Sequence, residues 1–353
     1  MKVLTVIGAR PQFIKASVVS RAFKDIRPDV REVIVHTGQH YDANMSDVFF
    51  DELCISRPDY NLGIGGGTHG QNTGRMIEKL EGIMKKIQPQ WVLVYGDTDS
   101  TLAGALAAAK LDIPVAHVEA GLRSFNRKMP EEINRVLTDH IAQILLVPTE
   151  IGRQNLRNEG IADEKIKLVG DVMYDASLYY KSKARKPQLP IGLSDKVSEY
   201  VLCTIHRAEN TDNRQRLTNI LHGLSDSNVQ IILPLHPRTR SKIAEFDLGI
   251  PENICVIDPV GYLEMVWLEA NSRVIVTDSG GVQKEAYFFG KPCVTIRDET
   301  EWVELVDAGI NQLVGDDTNL IAKSIREAKF SLLNSNIYGQ GNSANMVVDL
   351  LNQ

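Results

Sequence analysis

The chain has 353 residues, 43% hydrophobic and 24% charged, with a formal net charge of −6 at pH 7. That length is too great for one ordinary core and predicts two domains of a soluble globular protein. Net acidity argues against a nucleic-acid surface, no apolar run approaches membrane-spanning length, and the cysteines Cys54, Cys203, Cys255 and Cys293 form no CxxC pair that would encode a structural zinc or a dithiol. The opening MKVLTVIGARPQ reads directly into a strand without a signal-peptide pattern, so the expected location is cytoplasmic.

In chain order the pattern is strand, loop, helix, repeated. Strands are expected at 3–7, 33–37, 91–95, 114–118 and 144–147, and helices at 11–23, 46–53, 73–86, 101–111 and 131–141. A charged tract with two prolines, 181–194, interrupts the periodicity and reads as a linker or its flank. The alternation then restarts, with strands at 200–205, 229–235, 254–257, 274–276 and 293–296 and helices at 214–224, 262–270, 282–289 and 343–351. Such alternation predicts parallel sheets wrapped by helices. The expected fold class is α/β: two doubly wound Rossmann-like domains, 1–170 and 171–353, facing across a cleft, with the last helix packing back on the first domain. Ligands of such folds bind at the C-terminal ends of the strands.

Unusual polar residues gather at those strand ends in both halves. In Ser272–Gly290 a β-branched run is followed by Thr277-Asp278-Ser279-Gly280-Gly281 and a helix start. Glycines there let backbone N–H groups approach a phosphate, Ser279 adds a hydroxyl, and the helix dipole favours negative charge. The alternative is an ordinary strand-to-helix turn. Arg10 and Lys15, at the head of the first helix, suit a diphosphate or a solvated face equally; G-A-R-P is not a Walker sequence. Gly65–Gly70 contains a formal GxGxxG, but no convincing strand precedes it and no acid follows at the required distance, so it reads as a mobile loop and no nicotinamide cofactor is expected.

Asp97 and Asp99 form a DxD that would suit a metal or acid–base work; Asp97 reads as a site residue and Asp99 or Ser100 as a helix cap. Glu119 ends an apolar strand and has no structural duty in the pattern. Glu131 and Glu132 follow Pro130 and suit either catalysis or a helix N-terminus, with Arg135 one turn beyond Glu131 as an ordinary surface pair. His206 and His236 end equivalent strands of the second half and suit phosphate contact. No HExxH occurs, and the one HxxxH spacing, His36 to His40, runs across a strand end and Gly38 rather than along a helix, so no metal site is expected.

GARPQFIK, GDTDST, HVEAGLR, PEEINR, HRAEN, DSGGVQKE and RDETEW occur in the order found in the non-hydrolysing UDP-N-acetylglucosamine 2-epimerases, and the chain resembles that family over nearly its whole length. The resemblance implies the GT-B architecture, a homodimer, a UDP-sugar substrate, neither metal nor nicotinamide, and a place in surface-polysaccharide precursor synthesis. It implies catalytic roles for Asp97, Glu119, Glu131 and His206, and charged site positions at Arg10, Lys15 and Arg135. It further implies a diphosphate cradle at Ser279, Gly280 and Gly281 and a ribose-binding acid at Glu285. The implied chemistry is proton loss at sugar carbon 2 with departure of UDP, then re-addition on the opposite face. Ala9, Gln12, Ala208 and Lys284 depart from the usual motifs, and Asp42 stands where many relatives carry a glutamine in an activating pocket. GARPQFIK and RDETEW also resemble the branch acting on UDP-2,3-diacetamido-2,3-dideoxyglucuronic acid. Competing classes are a GT-B glycosyltransferase, which needs an acceptor, and a nucleotide-sugar sensor, which binds without turnover.

Overall fold

The structure, a computed structural model, describes residues 1–39, 57–190, 199–330 and 336–352, with the backbone but not the side chain of Arg10. The helix expected at 46–53, Asp42, Cys54 and the end of the 181–194 tract lie outside the described residues. The chain divides into two compact units, Met1–Ala176 with Asn336–Gln353, and Ser177–Ser335.

In the first unit the strands are β1 (Lys2–Ile7), β2 (Arg31–His36), β3 (Tyr60–Asn61), β4 (Trp91–Tyr95), β5 (Val115–Val118), β6 (Ile144–Val147) and β7 (Ile166–Leu168). They form a parallel sheet in the order β3-β2-β1-β4-β5-β6-β7. Its central strands are apolar along their length because helices cover both faces; Leu4, Val6, Val92, Val94 and Leu145 are fully buried. The covering helices include α1 (Arg10–Ile26), α2 (His69–Ile87), α3 (Asp99–Lys110), α4 (Pro130–Ile141), α5 (Glu150–Asn158) and the start of α6 (Val172–Lys181). Alanine-rich α3 packs close to the sheet with Ala103, Ala105, Ala107 and Ala108 in the core.

The second unit repeats the plan. Strands β8 (Val201–Thr204), β9 (Ile231–Pro234), β10 (Ile254–Ile257), β11 (Val274–Thr277), β12 (Cys293–Thr295) and β13 (Asn311–Leu313) pair in parallel in the order β10-β9-β8-β11-β12-β13. Helices α7 (Ala208–Thr211), α8 (Arg214–Asp226), α9 (Pro237–Glu245), α10 (Tyr262–Asn271), α11 (Gly280–Phe288), α12 (Val303–Asp307) and α13 (Thr318–Glu327) complete it. Helix α14 (Ser343–Leu350) belongs to the first unit, where it packs on α1 and the Ala344 N–H donates to Asp175 at 2.7 Å. No helix of the described residues is long and apolar enough to cross a membrane.

Both sheets reverse strand order once, between β1 and β4 and between β8 and β11. Diverging connections at such a switch point leave a crevice beyond the strand ends, where doubly wound folds bind ligands. Two local readings need correction. Gly65–Gly70 is not wholly a loop: Thr68 caps α2 by accepting from the Gln71 N–H, and the helix begins at His69. Nor do Asp99 or Ser100 cap α3. Thr98 does, leaving the Asp99 carboxylate for other partners.

Candidate active site

In the first unit the switch point lies between the β1–α1 and β4–α3 turns, and Gln12 fastens one to the other. Its Oε1 accepts from the N–H groups of Gly8 and Ala9 at 2.7 and 3.0 Å. Its Nε2 donates to the Tyr95 carbonyl at 2.7 Å and to the Thr101 and Thr98 hydroxyls. The amide is consumed inside the protein and brings no charge to the crevice.

A cavity of about 240 Å³ opens here, lined among others by Gln12, Lys15, His69, Asp97, Asp99, Glu131 and Asn134. Lys15, nearly buried, pairs with Glu119. Glu119 holds a left-handed backbone (φ +70°) that non-glycine residues seldom adopt. Such strain persists only where the surroundings enforce it; here the N–H groups of Glu119 and Ala120 both donate to the Leu146 carbonyl. Asp97 pairs with Arg135, and Asn134 donates to the Asp97 carbonyl at 3.0 Å.

Arg135 is therefore not a surface partner of Glu131: it is nearly buried between Asp97 and Glu132, with 2.7 Å to the latter. Glu131 is exposed on the cavity rim. Glu132 points the other way. Its carboxylate, 1% exposed, gathers the Ser124 N–H and hydroxyl, the Phe125 N–H and Arg135. Asp99 lies against His69 at 2.8 Å and Asn134 at 3.2 Å, and that contact raises the His69 pKa.

The second switch point is built around Asp278, wholly buried at the end of β11. It accepts from the His206 and Arg207 N–H groups and from Asn210, and its Oδ1 lies 3.1 Å from His206 Nδ1. That contact fixes Nδ1 of His206 as a donor and turns Nε2 away from Asp278. The sequence reading missed Asp278 as an orienting group; its only signal was an acid closing a buried strand. His236 caps α9, its Nδ1 accepting from the Arg238 N–H at 3.2 Å, so this nitrogen is unprotonated. Burial, with His206 and Arg238 nearby, lowers its pKa accordingly.

Ser279 caps α11, accepting weakly from Val282 at 3.5 Å. A side chain at Gly280 would collide with Glu301, 2.2 Å from its Cβ position, whereas a Cβ at Gly281 would meet only Ser279 Oγ at 3.9 Å, an ordinary contact. Glu301 is held by Arg297 at 2.8 Å. Glu285 is buried on α11. Near it Glu269, also missed, is fully buried with no hydrogen-bond partner for either oxygen among the described residues, and burial plus the Glu285 charge push its pKa well up. A neutral acid at that position avoids an unpaired buried charge.

Four buried or partly buried carboxylates carry an acid-stability signature. Burial would raise Asp139, Asp278, Glu132 and Glu301, but it is outweighed at each. The opposing groups are His117 and Arg123 for Asp139, His206 and backbone N–H groups for Asp278, Ser124 and Arg135 for Glu132, and Arg297 for Glu301. All four sit below their ordinary values. Depressed folded pKa values contribute stability above the unfolded value, about 4, that is lost as pH falls through the folded values. Through these four groups Tm should fall below about pH 4 in thermal scans; a Tm level down to about pH 3 would contradict this.

Two doubly wound units, one with paired carboxylates and cations at its switch point and the other with a glycine-bearing helix start and an oriented histidine, place the chain among α/β proteins that bind ligands at strand ends. The chain belongs to the UDP-N-acetylglucosamine 2-epimerase family, whose sequence model matches residues 24–352. It is 54% identical over 358 residues to the UDP-2,3-diacetamido-2,3-dideoxy-D-glucuronate 2-epimerase of Pseudomonas aeruginosa, covering 99% of both chains. The solved structure of Methanocaldococcus jannaschii UDP-GlcNAc 2-epimerase in complex with UDP-GlcNAc and UDP is similar at a TM-score of 0.84 and 44% identity, over 100% of this chain and 99% of that one. The Neisseria meningitidis enzyme bound to UDP-GlcNAc is 33% identical, also with a TM-score of 0.84, over 99% of each.

Proposed function

We propose that this protein is a non-hydrolysing UDP-sugar 2-epimerase whose preferred sugar is UDP-2,3-diacetamido-2,3-dideoxyglucuronate. One observation carries the reaction class: Asp97 and Glu131 line the cavity of the first unit, and Glu119 joins it through Lys15. Inversion at carbon 2 needs proton removal on one face and delivery on the other, so more than one carboxylate has work to do. Asp97, Glu119 and Glu131 supply it, with Lys15 and Arg135 offsetting charge. Proton loss from carbon 2 as the carbon 1–oxygen bond breaks gives UDP and the 1,2-unsaturated glycal of the sugar, which keeps its acetamido groups and its carboxylate. UDP adds back through the same oxygen while a proton arrives on the opposite face. Ser279, Gly280, Gly281, His206 and His236 take the diphosphate, lowering the barrier to its departure, and Glu285 takes the ribose hydroxyls.

The choice of sugar rests on the whole-length relative from Pseudomonas and on a neutral, fully bonded Gln12, which adds no negative charge against a carboxylated ring. UDP-GlcNAc is the second reading, favoured by what the solved relatives hold. Each sugar, incubated with the protein in deuterated water, should be followed by NMR. Deuterium should enter carbon 2 of the diacetamido uronate with a kcat/KM at least about tenfold above that for UDP-GlcNAc, about 1.4 kcal/mol of discrimination. A preference for UDP-GlcNAc reverses the substrate assignment, and exchange with neither ends the epimerase reading. Free UDP with free sugar would identify a hydrolase, and acceptor-dependent UDP release a glycosyltransferase.

Asp97 and Asp99 are engaged by Arg135, His69 and Asn134, a donor set that suits ion pairing rather than a divalent metal. EDTA is therefore expected to leave turnover unchanged; its loss, restored by magnesium or manganese, would return both aspartates to the role of ligands. We further propose a cytoplasmic homodimer. Ile133 and Leu137 stand exposed one turn apart on α4 and offer apolar area for it. Sedimentation at micromolar concentration should give twice the chain mass.

A further inference from the structure

Behind the cavity of the first unit lies a buried ionic cluster to which nothing above assigns a part in the reaction. His117, on β5, is completely buried. Its Nδ1 lies 2.7 Å from Asp139 Oδ1 and its Nε2 lies 2.7 Å from the Gly96 carbonyl. Asp139, on α4, also accepts from the Gly121 N–H at 3.1 Å and pairs with Arg123 at 2.7 Å; Arg123 in turn grips Glu159. Both ring nitrogens thus face acceptors. Asp139 is itself fixed by the Gly121 N–H and by Arg123, so the ring is gripped at both nitrogens and has one orientation.

The two acceptors belong to the turns that present the carboxylates. Gly96, in a left-handed conformation (φ +66°), precedes Asp97, and its N–H is tied to the Val118 carbonyl. Gly121 follows Glu119 by two residues. Lys15, the partner of Glu119, lies beside the Gly96 turn, its Nζ about 3.7 Å from where a Gly96 Cβ would stand.

We propose that His117 is a positioning residue for the epimerisation: through the Gly96 carbonyl it sets the peptide that carries Asp97, and through Asp139 it locks that peptide to the turn that carries Glu119. A packing histidine would need one hydrogen bond at most. Two short ones, to the two turns that must hold fixed spacing, are what a device for spacing requires. The proposal rests on the epimerase reading for its kinetic consequence but not for its geometry.

The test has two arms. In protein labelled with ¹⁵N-histidine, the signals lost on His117→Gln should show both ring nitrogens engaged in hydrogen bonds, to the Asp139 carboxylate and to the Gly96 carbonyl; a ring nitrogen with no hydrogen bond overturns the proposal. In the second arm His117→Gln, which keeps an N–H for the Gly96 carbonyl, is compared with His117→Met, which keeps volume alone. Turnover is expressed per UDP-binding site, so that a lower folded fraction does not count. His117→Met should lower kcat by roughly 100-fold, as displacement of a catalytic group by about an ångström does, with KM nearly unchanged, and His117→Gln should retain at least about tenfold more. Equal losses in both variants, or kcat near that of the wild type in His117→Met, would overturn it. If the wild type turns over neither sugar, the functional proposal fails while the ¹⁵N result still decides the geometry.

Discussion

Asp97→Asn is expected to lower kcat by about 10²- to 10⁴-fold, the usual contribution of a positioned acid or base, while KM changes only a few-fold. The substitution is nearly isosteric. An asparagine oxygen still accepts from Arg135, and Asn134 binds the Asp97 carbonyl rather than its side chain, so the turn survives. What disappears is basicity, which matters only as the carbon 2 proton moves. Glu285→Ala provides the contrast: on the proposed assignment it raises KM and the UDP dissociation constant with a smaller effect on kcat. Steady-state rates, with carbon 2 exchange as a second readout, distinguish the two. A kcat for Asp97→Asn within about threefold of wild type, under 1 kcal/mol of barrier, would remove Asp97 from the chemistry.

Gly121→Ala is expected to cost stability and activity together. Gly121 has φ +83°, where an alanine is strained, and its Cβ would lie 2.4 Å from the Gly152 carbonyl oxygen and 2.8 Å from its carbon. Backbone cannot swing aside as a side chain can. Moving it would loosen the start of α5 at Gly152, disturb the Asn155 side chain that donates to the Gly121 carbonyl at 3.0 Å, and pull the Gly121 N–H from Asp139. Strain and displacement sum to about 3 kcal/mol or more, or a Tm lower by about 6–12 °C for a unit of this size. Because Glu119 stands two residues away, kcat should fall even at temperatures where the variant is folded. Calorimetry and rates on one preparation test both; an unchanged Tm would show that the Gly121 turn has room the structure denies.

The element order was readable because it depends on local pattern. Apolar β-branched runs such as Val274–Thr277 and Trp91–Tyr95 stand between polar breaks, and they fold as buried parallel strands. Short elements escaped. Strand β7 has three residues, and α5 has only Ile151 and Leu156 as large apolar residues, while α13 was passed over although Leu320, Ile321 and Ile325 stand at helical spacing. The Asp99 reading failed for another reason: Thr98 and Asp99 are both good capping residues, and the choice between them was made by His69 and Asn134, far away in sequence. Glu132 was passed over beside Glu131 because adjacent acids at a helix start look alike. Only the loop at Ser124 and Phe125, folding over one face of α4, tells them apart.

By itself, then, the sequence determined the two α/β repeats, the strand ends at which polar residues gather, and through its motifs the family. These follow from the period of apolar side chains and from glycines where a turn is needed, both properties of neighbouring residues. Tertiary structure alone decided who pairs with whom: Lys15 with Glu119, Arg135 with Asp97, Asp278 under His206, and Asp139 joining His117 to Gly121. Ion pairs and shared hydrogen bonds act over a few ångströms between residues tens of positions apart, and the parallel sheet is what brings those positions to one edge.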